Sequence, residues 1–242
     1  VFGLGGVSGS LMIYFFDVQS LGLIAWISLL IAIVSAIALN ENKWQITHTS
    51  KKGINLKPHG VLIPILFAIA LYVALEISAA SWLPTISTLS GNGVKDGALA
   101  TSLFYLFFTT GRFIGAPIAR RIKAEKMIFG SLLLSILPLG IALVQPDMTF
   151  WMVAIMGLTL GPLYANTTGF LASVTPDNPG ATAYLLYGAM AGSLLLFPMV
   201  GLLIDRQSTE IFPFALIVLL LLSLIFYAMA SINSKRGGEN AE

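Results

Sequence analysis

From Val61 to Ser87 the chain runs apolar with one charged side chain, Glu76, and shows no water-facing rhythm. A helix needs about 20 apolar residues to cross a bilayer core. Such a stretch is therefore long enough to span, and it holds an acid near its middle. A carboxylate in hydrocarbon costs several kcal/mol, roughly 2.5–3.5 on insertion scales. Glu76 is accordingly expected to face a bundle interior or a wet cavity and to be protonated part of the time. The plainer alternative is a carboxyl that hydrogen-bonds a neighbouring helix and only locks packing.

The rest of the chain repeats the pattern. Of its 242 residues 57% are hydrophobic and 10% charged, and the mean hydropathy is +0.88. A soluble domain carries about 25% charged residues, so this chain cannot cover a water-facing surface. The expected fold class is an all-α polytopic membrane protein. Seven further apolar stretches fit the span length or approach it: Val1–Phe16 (truncated), Leu21–Leu39, Ala98–Ala119, Met127–Val144, Phe150–Val174, Ala181–Ile204 and Ile211–Ile232. The chain opens on Val1, already apolar, without the basic stretch and cleavage site of a signal peptide. It reads as a fragment whose upstream part is missing. The one long connector, Asn40–Gly60, is polar and basic and divides two helical blocks.

Basic residues set an expected orientation. With alternating spans, one side collects Lys43, Lys51, Lys52, Lys57, Arg120, Arg121, Lys123, Lys126, Lys235 and Arg236; the other holds only Lys95 and Arg206. The positive-inside rule puts the first group, and the C-terminus, in the cytoplasm. The membrane is expected to be a plasma or inner membrane.

Cysteine is absent, so no disulfide, thiolate metal site or Cys nucleophile is possible. His48 and His59 are too far apart for a helical metal pair, and no metal or cofactor is expected. No GxxxxGK[ST], HExxH or GxSxG motif occurs, which argues against a nucleotide motor and a membrane protease. The basic loops lack interleaved aromatics, so nucleic acid is not an expected partner. Catalysis is not expected.

Several intramembrane residues carry the candidate chemistry. Arg112 is the only cation well inside an apolar span, and helical spacing puts Phe104, Phe108, Arg112 and Gly115 on one face. Counted from the cytoplasmic ends, Glu76 is some 15 residues deep and Arg112 about 8, a gap of roughly 10 Å at 1.5 Å per residue. That argues against a direct ion pair. Tyr164, Asn166, Thr167 and Thr168 form a polar cluster deep in an apolar segment, suited to a polyhydroxy or amide-bearing solute because they both donate and accept. Interhelical hydrogen bonding is the competing reading. Tyr72, Trp82, Tyr105, Tyr184 and Tyr187 offer faces for stacking on a sugar ring, although Trp82 lies about 240° around a regular helix from Glu76. The pairs Gly111/Gly115, Gly157/Gly161 and Gly188/Gly192 have GxxxG spacing, which lets backbones approach; Gly3, Gly6 and Gly9 punctuate the first segment. Prolines inside spans free the carbonyl four residues back. Pro84 would loosen that of Ala80 and Pro162 that of Leu158, and in lipid such carbonyls must find partners within the protein.

GRFIGAPIARRI (residues 111–122) with the following span resembles the eighth-to-ninth helix turn of major facilitator superfamily transporters. GPLYANTTGFLASVTPDNPG (161–180) and GAMAGSLLLFPMVGLLID (188–205) look like their tenth and eleventh helices. YVALEISAASWLP (72–84) and FGLGGVSGSLM (2–12) resemble the seventh and fifth helices of the fucose-permease-like sugar symporter branch. The resemblance implies the last two helices of the N-terminal half (1–39), a central cytoplasmic loop (40–60), a complete six-helix C-terminal half (61–232) and a cytoplasmic tail (233–242). Such transporters hold solute at the midplane between two halves that rock about it, the superfamily being a standard example of that rule. Carried over, Tyr72, Glu76, Tyr164, Asn166 and Tyr187 fall at the substrate cavity, Glu76 is the ion-coupling group, and Gly111, Arg112 and Gly115 form a cytoplasmic gate. The implied partners are the lipid bilayer, a small polar solute, a sugar by this resemblance, a proton or other coupling ion, and the missing half of the same chain. Competing readings are an exporter of amphipathic drug-like compounds, favoured by the aromatic and Met-rich spans, and a transport-inactive receptor or scaffold.

Overall fold

The structure, a computed structural model, describes Leu30, residues 60–91, 93–176, Asn178 and residues 180–239. The expected spans Val1–Phe16 and Leu21–Leu39, the connector Asn40–Gly60 and the glycines at 3, 6 and 9 lie outside the described residues, apart from Leu30 and Gly60 themselves. The described part is helical: α1 (Leu62–Ser81), α2 (Leu83–Leu89), α3 (Val94–Ala119), α4 (Ala124–Val144), α5 (Thr149–Leu160), α6 (Leu163–Val174), α7 (Ala181–Ala191), α8 (Phe197–Gln207) and α9 (Ile211–Glu239). A π-helical turn, Gly192–Leu196, joins α7 to α8.

Five segments are long and apolar enough to cross a membrane: Leu62–Ser81, Ala124–Val144, Pro146–Val174, Ala181–Gln207 and Ile211–Arg236. The chain is an all-α, integral multi-pass membrane protein. The expected span Ala98–Ala119 falls within α3, which is long enough to cross but is not among these five. Thr101, Ser102, Thr109, Thr110 and Arg112 lower its apolarity.

The breaks have local causes. Val61–Ser87 divides at Trp82, because Pro84 cannot donate into the ladder. Gly97 leaves the room this bend needs: a Cβ there would sit 2.4 Å from the Cα of Pro84. Phe150–Val174 divides at Gly161–Pro162. α3 begins four residues before the expected Ala98, at Val94, because the Asp96 carboxylate accepts the N–H of Gly93 at 3.1 Å and caps its first turn.

Glycines set the spacing between helices. α3 and α5 approach reciprocally: a Cβ on Gly111 would lie 2.1 Å from the Leu158 carbonyl oxygen, one on Gly157 2.5 Å from that of Phe104, and one on Gly161 2.2 Å from that of Phe108. Gly115 meets the Pro162 ring. Gly188 and Gly192 do the same for α7 and the π turn against Leu66 and Ala70 of α1. All three GxxxG pairs therefore sit in helix–helix contacts, the arrangement favoured where lipid supplies no hydrophobic drive between helices. α1 is the centre of the bundle, with Ile65, Ala68, Ile69, Tyr72, Leu75, Ala79 and Ala80 buried. α9 lies along it, and the Ser223 hydroxyl donates to the Ala68 carbonyl at 3.0 Å.

Candidate functional site

The site forms where α1, α3 and the α5–α6 break meet. Pro162 has no N–H, so Leu158 loses its acceptor role in the ladder. Regular bonding resumes with Asn166 N–H donating to the Pro162 carbonyl at 3.1 Å. Neighbouring helices supply donors at this gap. The Tyr72 hydroxyl donates to the Leu160 carbonyl at 3.3 Å, and Arg112 Nε donates to the Gly161 carbonyl at 3.1 Å. The Leu158 oxygen is covered by the backbone at Gly111. The second proline-freed carbonyl, that of Ala80, accepts from the Thr101 hydroxyl at 3.0 Å. Unpaired carbonyls in a low-dielectric interior are costly, so these contacts fix both bends.

Glu76 is half-buried one turn beyond Tyr72, on the same face of α1. Arg112, Tyr105 and Tyr164 lie within electrostatic reach of it. Among the described residues the ion pair within bonding distance is Lys235–Glu125 at 3.3 Å; Glu76 and Arg112 make none. The guanidinium of Arg112 instead rests over the Phe108 ring, 4.4 Å from its centroid. Its Nε is held at the α5–α6 break by the Gly161 carbonyl.

The structure thus gathers Tyr72, Glu76, Arg112 and Tyr164, joined by Tyr105. Asn166 is turned away: its Nδ2 donates back to the Pro162 carbonyl at 2.8 Å. Thr168 likewise bonds the Tyr164 carbonyl, and Thr167 shares a 2.6 Å bond with the Tyr227 hydroxyl of α9. Tyr187 stands apart on α7, 67% exposed, with its ring 6.2 Å from that of Tyr184. Trp82 stacks on Phe197 at 5.3 Å and covers Gly201, away from Glu76. Sequence reasoning missed Thr101 and Tyr227. A hydroxyl facing a proline-freed carbonyl would have marked Thr101; nothing in the local sequence marks Tyr227.

Such an arrangement can hold or release a proton at one carboxyl, offer phenol hydroxyls to a polar solute and bend where a helix is broken. No protein-family model matches the sequence. The chain is similar to "Major facilitator superfamily domain-containing protein 4A" of Mus musculus, 28% identical over 140 residues, covering 57% of this chain and 28% of that protein. It is also similar to the Xenopus tropicalis protein of the same name, 28% identical over 138 residues, covering 56% and 27%. The match thus spans little more than a quarter of each curated relative.

Proposed function

We propose that this chain belongs to the major facilitator superfamily and forms part of a secondary transporter for a small polar solute, a sugar, moved by proton symport with alternating access. The two curated relatives support the superfamily. Residues 1–39 close the N-terminal half, 40–60 form the central cytoplasmic loop, 61–232 make the six-helix C-terminal half and 233–242 the cytoplasmic tail. The protein resides in a plasma or inner membrane. Tyr72, Glu76 and Tyr164 are the core of the solute path. Gly111, Arg112 and Gly115 belong to the cytoplasmic gate.

The observation that carries this reading is Glu76: an acid in the central helix, half-buried, among tyrosines, with no counter-ion bonded to it among the described residues. Such a group is a functional candidate by default, because its charge state alters what the cavity tolerates. The test is uptake of labelled sugar by the full-length protein with Glu76→Gln under an imposed pH gradient. Loss of gradient-driven accumulation is expected, with exchange at equal pH retained; accumulation equal to wild type removes Glu76 from the mechanism.

A further inference from the structure

Tyr72 has one hydroxyl proton and two acceptors to choose between. It lies fully buried on α1, bonded to the Leu160 carbonyl at 3.3 Å, and Glu76 follows four residues on along the same face of that helix. A phenol can donate once and accept on its oxygen at the same time. The bond to Leu160 is long for O–H···O, whose usual range is about 2.5–3.0 Å, so a stronger acceptor displaces it. An ionised carboxylate is that acceptor, since charge-assisted hydrogen bonds are roughly twice as strong as neutral ones.

We propose that Tyr72 is a positioning residue that relays the protonation state of Glu76 to the break between α5 and α6. With Glu76 protonated, its O–H donates to the Tyr72 oxygen and the Tyr72 hydroxyl donates to the Leu160 carbonyl, holding the bend. When that proton leaves, the Tyr72 hydroxyl turns to the carboxylate and the Leu160 carbonyl loses its outside donor. The break then depends on Arg112 at Gly161 alone, and the hinge loosens. Other groups facing the carboxyl modulate the switch without replacing it: Tyr105 and Arg112 from α3, and Tyr164 from α6. Arg112 donates through Nε one carbonyl further on, at Gly161, with its guanidinium resting over the Phe108 ring.

The inference rests on the titrating role given to Glu76 above, and its test separates the two. Spin labels go at Trp151 on α5 and Ala172 on α6, both exposed, about 32 Å apart along a straight helix of that length. The full-length protein is studied in nanodiscs without solute over about pH 4 to 9, a window that brackets carboxyl titration in proteins. Wild type is expected to show a pH-dependent change in the distance distribution. Glu76→Gln, whose amide donates to Tyr72 at every pH, holds the bent distance throughout. Tyr72→Phe gives the loose distribution throughout, and its folding is checked by thermal unfolding. Thr110→Val, whose hydroxyl bonds only its own helix, keeps the wild-type response. If Tyr72→Phe responds to pH like wild type while Glu76→Gln does not, the relay is wrong and the role of Glu76 stands. If wild type shows no response, or Glu76→Gln responds unchanged, both fall.

Discussion

At the scale of single residues, backbone carbonyls account for much of the polar chemistry in this bundle. Thr101, Tyr72, Arg112 and Ser223 all donate to carbonyls of other helices. Thr101→Val is nearly isosteric and strips the Ala80 carbonyl of its donor from another helix. It is expected to lower stability by about 1–3 kcal/mol, the penalty for an unsatisfied buried group. Thr110→Val removes only a bond to the preceding turn of its own helix and is expected to be nearly neutral. Thermal unfolding in detergent compares the two; equal effects would mean that the Ala80 carbonyl finds another donor.

At the scale of the helix, close approach is confined to a few faces. Gly111→Ala forces a methyl to within 2.1 Å of the Leu158 oxygen. Two backbones must separate, at about 1–3 kcal/mol by analogy with overpacked cores. Gly130→Ala on α4 meets nothing within 4 Å and should stabilise by about 0.5–1 kcal/mol through helix propensity. Opposite signs in the unfolding midpoints are the expected result. Proline marked the breaks only in part: Pro84 and Pro162 sit at them, whereas Pro117 and Pro138 lie inside the unbroken α3 and α4. The donors that answer the breaks were not legible in the sequence, since they come from segments distant in the chain: Thr101 lies 21 residues from Ala80 and Arg112 49 from Gly161. Asn166 shows a limit of another kind. Its amide reads as a solute ligand, yet the open carbonyl of Pro162 one turn back captures it locally. The length of the apolar runs placed the five spanning segments but did not give the π turn at Gly192–Leu196, although Pro198 just beyond it removes the donor to the Leu194 carbonyl.

At the scale of the molecule, charge is distributed by end. Arg120, Arg121, Lys123 and Lys126 surround the α3–α4 turn, and Lys235 at the end of α9 pairs with Glu125 at the start of α4. Asp147, Asp205 and Glu210 cluster near turns at the opposite ends of their helices. If the C-terminus is cytoplasmic, a cysteine at Arg121 reacts with an impermeant maleimide only in opened cells, and one at Glu210 reacts in intact cells; the reverse pattern inverts the proposed topology. The glycine contact between α3 and α5 bears on how any motion of this bundle is observed. With carbonyls of each helix seated on bare Cα atoms of the other, neither helix can slide or roll without its partner. A fluorophore on the exposed side of α3, at Phe113 for example, therefore reports the displacement of α5 as well. Relative movement should be sought across the Gly161–Pro162 break, where the coupled pair ends and α6 is held by other partners, Tyr227 of α9 among them.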